Sequence, residues 1–119
     1  MFIDRVFGND TAEPVLLYLQ AYEKGYAKEI SRTFGIPLNM VQKQLIKFEA
    51  ASVLVSQKFG SVRLFSWNPR WPFLVTFRSW LQEVLAAMPK EMRERYYTQR
   101  KRPRRTGKPV WLKSTKPQR

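Results

Sequence analysis

A switch in hydrophobic period between residues 51 and 53 constrains the fold more than any other feature of this chain. Before the switch, Val41, Leu45 and Phe48 recur at spacings of four and three, as on one face of an α-helix. After it, Val53 and Val55 lie two residues apart, a spacing that is typical of a β-strand. The sequence therefore predicts a helix that leads directly into a strand.

A second β-prone run follows, in which Val62 and Leu64 again lie two residues apart. A short segment containing Gly60 separates the two runs, and glycine supplies the left-handed backbone that a tight hairpin turn usually needs. We therefore expect a β-hairpin over residues 53–66.

Three helices are predicted before the hairpin, over residues 11–24, 26–34 and 37–51. Gly25 is expected to end the first helix, and Gly35 to separate the second from the third. Two short helices joined by a tight glycine turn are typical of a helix-turn-helix.

A long helix is predicted after the hairpin, from Pro72 to Pro89. Its apolar residues recur at alternating spacings of three and four, which is the pattern of a helix seam. We expect the seam to cover the core and also to form a homodimer interface. The predicted interface residues are Leu74, Phe77, Trp80, Leu81, Val84 and Met88.

These elements divide the chain into three parts. Residues 1–88 are expected to form the folded domain, and residues 89–102 a basic helical extension. Residues 103–119, in which Pro, Lys, Arg, Ser and Thr dominate, are expected to be a disordered basic tail. The predicted fold class is mainly α with a small β-hairpin.

The charge of the chain indicates a polyanionic partner. It has 22 Lys and Arg against 9 Asp and Glu, a formal net charge of +13. Residues 100–119 hold nine of the basic residues and no acidic one, which leaves +4 on residues 1–99. Nucleic acid is the first candidate and an anionic membrane surface the second.

Other compositional features exclude several function classes. The chain has no Cys and no His, so it lacks thiolate metal ligands and the commonest general base. It has no nucleotide-binding fingerprint and no apolar run of about 18 residues or more. We therefore expect a cytoplasmic protein that is not an enzyme, uses no cofactor and does not span a membrane.

The helix over residues 37–51 carries a face suited to reading bases. At about 100° per residue, its side opposite Val41 bears amide and ammonium groups, and no carboxylate precedes Glu49. Asn and Gln can pair with adenine, and Lys can donate to guanine or phosphate. The residues on this face are Asn39, Lys43, Ile46 and Lys47, with Gln42 on its flank.

This stretch resembles the winged helix-turn-helix domain of bacterial and archaeal regulators of the ArsR and MarR type, over roughly residues 1–88. The resemblance lies in the turn Phe34-Gly35-Ile36-Pro37, the helix start Met40-Val41-Gln42-Lys43, the run from Leu45 to Val55, and the exit Asn68-Pro69-Arg70-Trp71-Pro72. It implies a DNA-binding regulator with recognition helix 37–51 in the major groove, wing 53–66 on the backbone or minor groove, and a dimeric assembly. Ser52 stands where the family usually has glycine, so we expect that corner to be built differently.

The predicted partner is double-stranded DNA, contacted by the recognition helix, the helix before it, the wing and the tail. The predicted DNA-binding residues are Arg32, Asn39, Met40, Gln42, Lys43, Lys47, Lys58, Arg63, Arg100, Lys101, Arg102, Arg104 and Arg105.

Two other functions fit parts of the sequence. The first is a winged-helix protein that binds RNA, stacking bases on exposed aromatic residues such as Phe59, Phe65 and Trp111. The second is an antitoxin-like partner that holds another protein with its long helix. An exposed aromatic platform would favour the first alternative, and an open apolar groove without self-association the second.

Overall fold

The computed structural model describes residues 3–98 of this chain. Within them the backbone forms α1 (Asp4–Phe7), α2 (Ala12–Tyr22), β1 (Lys24–Tyr26), α3 (Ala27–Phe34), α4 (Leu38–Ala50), β2 (Leu54–Phe59), β3 (Val62–Trp67), α5 (Leu74–Ala87) and α6 (Lys90–Tyr96).

Helix α2 lies at the centre of the core, and all of its residues from Ala12 to Leu19 are buried. The helix begins where it does because the Asn9 side chain accepts hydrogen bonds from the backbone N–H groups of Thr11 and Ala12, both at 2.9 Å. These bonds satisfy N–H groups that have no partner inside the first turn. The other helices pack around this central element.

The prediction that the first helix runs to Lys24 and stops at Gly25 is wrong. Helix α2 ends at Tyr22, and Glu23 turns the chain with a φ of 74°. Gly25 then lies in strand β1, buried against Tyr18, whose Cε1 atom is 2.6 Å from the position that a Cβ would occupy. Glycine is needed at this position for close approach to the helix and not as a helix stop.

Strand β1 adds a third strand to the predicted hairpin. The sheet order is β1-β3-β2, and both pairings are antiparallel. Strands β2 and β3 are joined by a tight turn in which Gly60 has the left-handed φ of 61° expected for it. Side chains of one sheet face enter the core, namely Leu54, Phe65 and Trp67. The hairpin prediction is confirmed, with one additional strand at its edge.

The helix-turn-helix is formed by α3 and α4. Gly35 ends α3 with a φ of 67°, and the Ser31 hydroxyl donates to the Ile36 carbonyl oxygen at 2.5 Å. Ile30 from α3 and Leu45 from α4 are both fully buried, so the two helices share one core. The predicted order of helix, glycine turn and helix is confirmed.

The corner between α4 and the hairpin has the left-handed backbone that glycine usually adopts, although the residue at this position is a serine. Ser52 has a φ of 68°. This conformation costs an L-residue roughly 1–2 kcal/mol. Asn68, at the far end of the hairpin, holds the corner by donating from its side chain to the Ser52 carbonyl oxygen at 2.9 Å. A cross-loop hydrogen bond therefore accompanies serine at this position.

Helices α5 and α6 close the core on its other sides. Helix α5 begins at Leu74 rather than at Pro72 and ends before Pro89. Helix α6 returns toward α3, where the Tyr97 ring lies 5.7 Å from the ring of Phe34. Of the segment 89–102, predicted to be a helical extension, the described part contains helix α6 over Lys90–Tyr96; the tail predicted for 103–119 lies outside the described residues.

The described chain is mainly helical with a small antiparallel sheet, as predicted. A helix-turn-helix leads into a β-hairpin wing, and a long helix packs behind it, which is the arrangement of a winged helix-turn-helix fold. No helix within residues 3–98 is long and apolar enough to cross a membrane.

Candidate nucleic-acid interface

The outward face of α4 is built by two fully buried anchors on its opposite side. Val41 and Leu45 have no exposed surface, and Phe48 is partly buried next to them. Because they lie on one side of the helix, the other side is turned away from the core. The polar residues predicted for this face are all exposed, namely Asn39, Gln42, Lys43 and Lys47.

The same helix also exposes three large apolar side chains. Leu38 is 39% exposed, Met40 is 45% exposed and Ile46 is 59% exposed. Met40 was among the predicted contact residues, whereas Leu38 and Ile46 were not. The outward face of α4 is therefore a mixture of amide, ammonium and aliphatic groups.

The wing places two cations opposite one another. Lys58 on β2 pairs with Arg63 on β3 across the ladder, and both residues are exposed. They lie on the same sheet face as the buried Leu54 and Phe65, because side chains two residues apart along a strand share a face. The two cations thus extend beyond the core on the side of the sheet that faces the helices.

A hydrogen-bonded chain joins the wing to α4. Arg63 Nη1 donates to Ser56 Oγ at 3.0 Å, and Ser56 Oγ donates to Glu49 Oε2 at 2.6 Å. The carboxylate of Glu49 is therefore directed at the wing and is linked through Ser56 to Arg63. This arrangement fixes the wing relative to the helix, and sequence reasoning did not predict it.

An open groove of about 720 Å³ runs between α4, the start of α3 and the wing. Its lining includes aliphatic side chains of α4 and of β3, such as Leu38 and Val62. Lys28 from α3 and Arg63 from β3 add positive charge to it. The groove therefore combines apolar surface with cations and one carboxylate, that of Glu49, and Gln42 and Ile46 of the exposed α4 face line it directly.

The other predicted DNA-binding residues fall into two groups. Arg32 is exposed in the last turn of α3. The predicted contacts in the tail lie outside the described residues, namely Arg100, Lys101, Arg102, Arg104 and Arg105.

The six residues predicted for a dimer interface differ in how deeply they are buried in the single chain. Leu81, Val84 and Met88 are buried in the core of the single chain. Leu74 and Phe77 are partly buried against that core. Trp80 is 36% exposed, and its ring lies 6.1 Å from that of Phe7 on α1. Within one chain the seam thus covers the core, and its exposed edge is at Trp80.

The three aromatic residues predicted to stack on RNA do not form one platform among the described residues. Phe59 at the wing tip is 48% exposed. Phe65 is only 4% exposed and belongs to the core, so its predicted exposure is wrong. Trp111 lies outside the described residues.

A buried tyrosine connects the core to α3 away from this interface. The Tyr18 hydroxyl donates to Glu29 Oε1 at 2.9 Å. Burial raises the pKa of the Tyr18 hydroxyl far above its ordinary value, and the hydrogen bond to Glu29 acts in the same direction. The hydroxyl therefore keeps its proton at neutral pH and serves as a structural donor.

The fold and this surface together define the class of winged helix-turn-helix proteins. No protein-family model and no curated protein matches the chain. Among solved structures, a mutant of ZitR from Lactococcus lactis is similar at 20% identity with a TM-score of 0.46, over 71% of this chain and 66% of that protein. The apo form of the same mutant is similar at 20% identity with a TM-score of 0.43, over 70% of this chain and 71% of that protein. Since the chain spans only 66% of the first of these, and at low identity, the class rests on the elements described above.

Proposed function

We propose that this chain is a DNA-binding transcription regulator. In this proposal α4 enters the major groove of duplex DNA, and the wing formed by β2 and β3 lies on the adjacent backbone or in the minor groove. The observation that carries the proposal is the groove between α4 and the wing, with the exposed face of α4 on one side and Arg63, the cross-strand partner of Lys58, on the other.

The chemistry of this groove fits a sugar-phosphate backbone. A deoxyribose ring is largely apolar and can pack on the aliphatic lining supplied by Leu38 and Val62. Phosphate oxygens accept hydrogen bonds from cations such as Lys28 and Arg63, whereas the Glu49 carboxylate in the same lining already accepts a hydrogen bond from Ser56. A strand held in this position would pass between the helix and the wing, so that each lies in a different groove of the duplex.

The predicted contacts then divide by role. The amides of Asn39 and Gln42 pair with adenine edges, and the ammonium group of Lys43 donates to guanine or to phosphate. Positioning contacts to the backbone come from the other cations and carry no sequence information directly. These are Arg32, Lys47, Lys58, Arg63 and the basic residues of segment 100–119.

Selection of bound fragments from a pool of random duplex DNA tests the proposal. We expect one sequence to be enriched, and Gln42→Ala and Lys43→Ala to weaken binding to it more than binding to a scrambled duplex. The expected loss of discrimination is about 1–3 kcal/mol, the value of a good bidentate base contact. Equal losses on both duplexes would show that these two residues do not read bases.

A lysine outside the interface provides the matched control. Lys90 on α6 is highly exposed, and its closest ion-pair contact, to Glu94, is 4.0 Å long. Lys90→Ala removes the same charge as Lys43→Ala and is expected to leave the discrimination unchanged. If the random pool yields no enriched duplex, while a pool of single-stranded RNA does, the DNA proposal is wrong.

We also propose that the protein acts as a homodimer, which suits a pseudo-palindromic operator. Support comes from an exposed apolar surface where α1 meets α5. Val6 and Phe73 are each 65% exposed, and Trp80 is 36% exposed with its ring 6.1 Å from that of Phe7. We call this set, Val6, Phe7, Phe73 and Trp80, the α1–α5 surface. We propose that these side chains form one apolar surface, because contiguous exposed apolar area marks an interaction site more often than single exposed residues do.

Phe73→Asp is expected to convert the dimer to a folded monomer. Phe73 is the N-cap of α5, and it makes no side-chain capping hydrogen bond. Because Phe73 is 65% exposed and aspartate is favoured near the N-terminus of a helix, the monomer should lose little stability. The same carboxylate would oppose burial in an apolar interface. Sedimentation equilibrium gives the mass, and thermal unfolding at low concentration gives the stability of the monomer.

Val75→Asp is the control for this prediction. Val75 is 79% exposed, and it lies in the first turn of α5, about 160° around the helix from Phe73. The control variant is expected to remain a dimer. A wild-type protein that is monomeric at micromolar concentration, or a dimeric Phe73→Asp variant, would contradict the proposed interface.

A further inference from the structure

The most exposed apolar side chain of α4 lies in the middle of its base-reading face. Ile46 is 59% exposed. It is one helical turn beyond Gln42 and Lys43, and one turn before Ala50, so these residues form one outward stripe. An aliphatic group is thus placed between amide and ammonium groups on the surface proposed to enter the major groove.

Packing within the chain does not account for Ile46. It is absent both from the buried core cluster of the described residues and from the partly buried residues packed against that cluster. Isoleucine is also a weaker helix former than alanine, leucine or lysine, so helix propensity does not favour it here. Ile46 lines the groove between α4 and the wing together with Gln42, so its exposed surface is available to a DNA strand that lies in this groove against α4.

The major groove of DNA offers one apolar group to such a side chain, the C5-methyl group of thymine. Adenine, the partner of thymine, presents the donor and acceptor that an Asn or Gln amide matches. Guanine is read most often by arginine or lysine; α4 contains no arginine, and in this inference its lysines, Lys43 and Lys47, donate to phosphate. Amide groups next to an aliphatic group therefore match A·T base pairs better than G·C pairs.

Resting on the proposed function, we propose that Ile46 contacts a thymine methyl group and that the base pairs under the centre of α4 are A·T. Gln42, one turn away, would then read adenine in the same or the neighbouring base pair. The binding site selected by this protein is expected to contain an A·T-rich core in each half-site, and Ile46 is a specificity-determining residue for it.

Replacing thymine by uracil tests the contact directly, because it removes only the methyl group. Each thymine of the selected duplex is replaced in turn, and affinity is measured by fluorescence anisotropy. At one position the wild-type protein should lose about fourfold in affinity, which corresponds to about 0.8 kcal/mol for one buried methyl-sized group. Ile46→Ala should bind the thymine and uracil duplexes of that position equally.

Two controls separate this contact from other effects. Val75→Ala removes an aliphatic side chain from α5 that is even more exposed, at 79%, and should retain the full uracil effect. Ile46→Val keeps a branched aliphatic group and should retain part of it. Circular dichroism verifies that the variants are folded, which we expect because position 46 is exposed in the helix.

The outcomes distinguish this inference from the proposed function. If no duplex is enriched from the random pool, the proposed function itself fails. If a duplex is enriched but its half-sites are rich in G·C, or if uracil has no effect at any position, the regulator proposal stands and the thymine contact is wrong. A uracil effect that persists undiminished in Ile46→Ala would assign the methyl contact to another residue.

Discussion

Leu81→Glu is expected to abolish folding of the described domain. Leu81 has no exposed surface and lies in the core cluster, at the middle of α5. Burying an unpaired carboxylate costs at least several kcal/mol, and loss of the leucine removes about 1.5–3 kcal/mol of hydrophobic burial. Domains of this size are stable by only about 5–15 kcal/mol. Far-ultraviolet circular dichroism and thermal unfolding measure the loss.

Two further variants make this result specific. Leu81→Ala introduces no charge and should lower the free energy of unfolding by about 2–5 kcal/mol. Ser79→Glu places the same carboxylate on an exposed position of the same helix and should leave the protein folded. A folded, monomeric Leu81→Glu protein would mean that Leu81 lies at a subunit interface and not in the core of one chain.

These expectations follow from which residues of the α5 seam lie in the core and which are exposed. The sequence pattern predicts a stripe that is both core and interface, because spacings of three and four do not distinguish the two. In the structure the stripe divides along its width, with Leu81 and Val84 in the core and Trp80 at the exposed edge. Which edge of a stripe is exposed depends on α1 and its contact between Phe7 and Trp80, and the four residues of α1 carry no periodic signal.

The helix-turn-helix and the wing could be predicted because their signals are local. Gly35 and Gly60 each have a positive φ in the structure, at turns where glycine was expected. The change from helical to alternating period coincides with the end of α4 at Ala50 and the start of β2 at Leu54. Such features depend on backbone conformation within a few residues, and distant parts of the chain do not alter them.

Strand β1 could not be predicted because its partner is distant in sequence. It is three residues long, too short to show alternation, and Lys24 pairs with Ser66. The sequence predicts that Gly25 ends a helix, because glycine is the residue that most often follows the last turn of a helix. Its role here, close approach to the Tyr18 ring, exists only once α2 and β1 are packed together.

The candidate interface could be predicted only in part, because some of its features are local in sequence and others depend on contacts between distant segments. The exposed residues of α4 follow from the burial of Val41 and Leu45 and the period of a helix. The groove beside α4, and the hydrogen-bonded chain from Glu49 to Arg63, depend on how the wing folds back against the helix. Sequence reasoning therefore found the helix face but not the space next to it.

Deleting residues 100–119 is expected to reduce strongly the salt dependence of DNA binding. The segment holds nine basic residues and no acidic one, which accounts for nine of the thirteen net positive charges. Each Lys or Arg that neutralises a phosphate contributes about 0.9 to the slope of log affinity against log salt concentration. Because the segment will engage only some of its charges at once, we expect the slope to fall by several units and binding at low salt to weaken.

The preference for the selected duplex over a scrambled one should largely survive the deletion. The proposed base-reading residues, Asn39, Gln42, Lys43 and Ile46, all remain on α4. A salt titration of the full-length and truncated proteins on both duplexes measures slope and preference together. A third variant with the nine basic residues changed to glutamine keeps the length of the chain, and it should behave like the truncated protein if charge is the cause. An unchanged slope would show that the segment does not contact DNA, whereas loss of the preference would show that the segment itself reads sequence, as a minor-groove contact by Arg102, Arg104 or Arg105 would do.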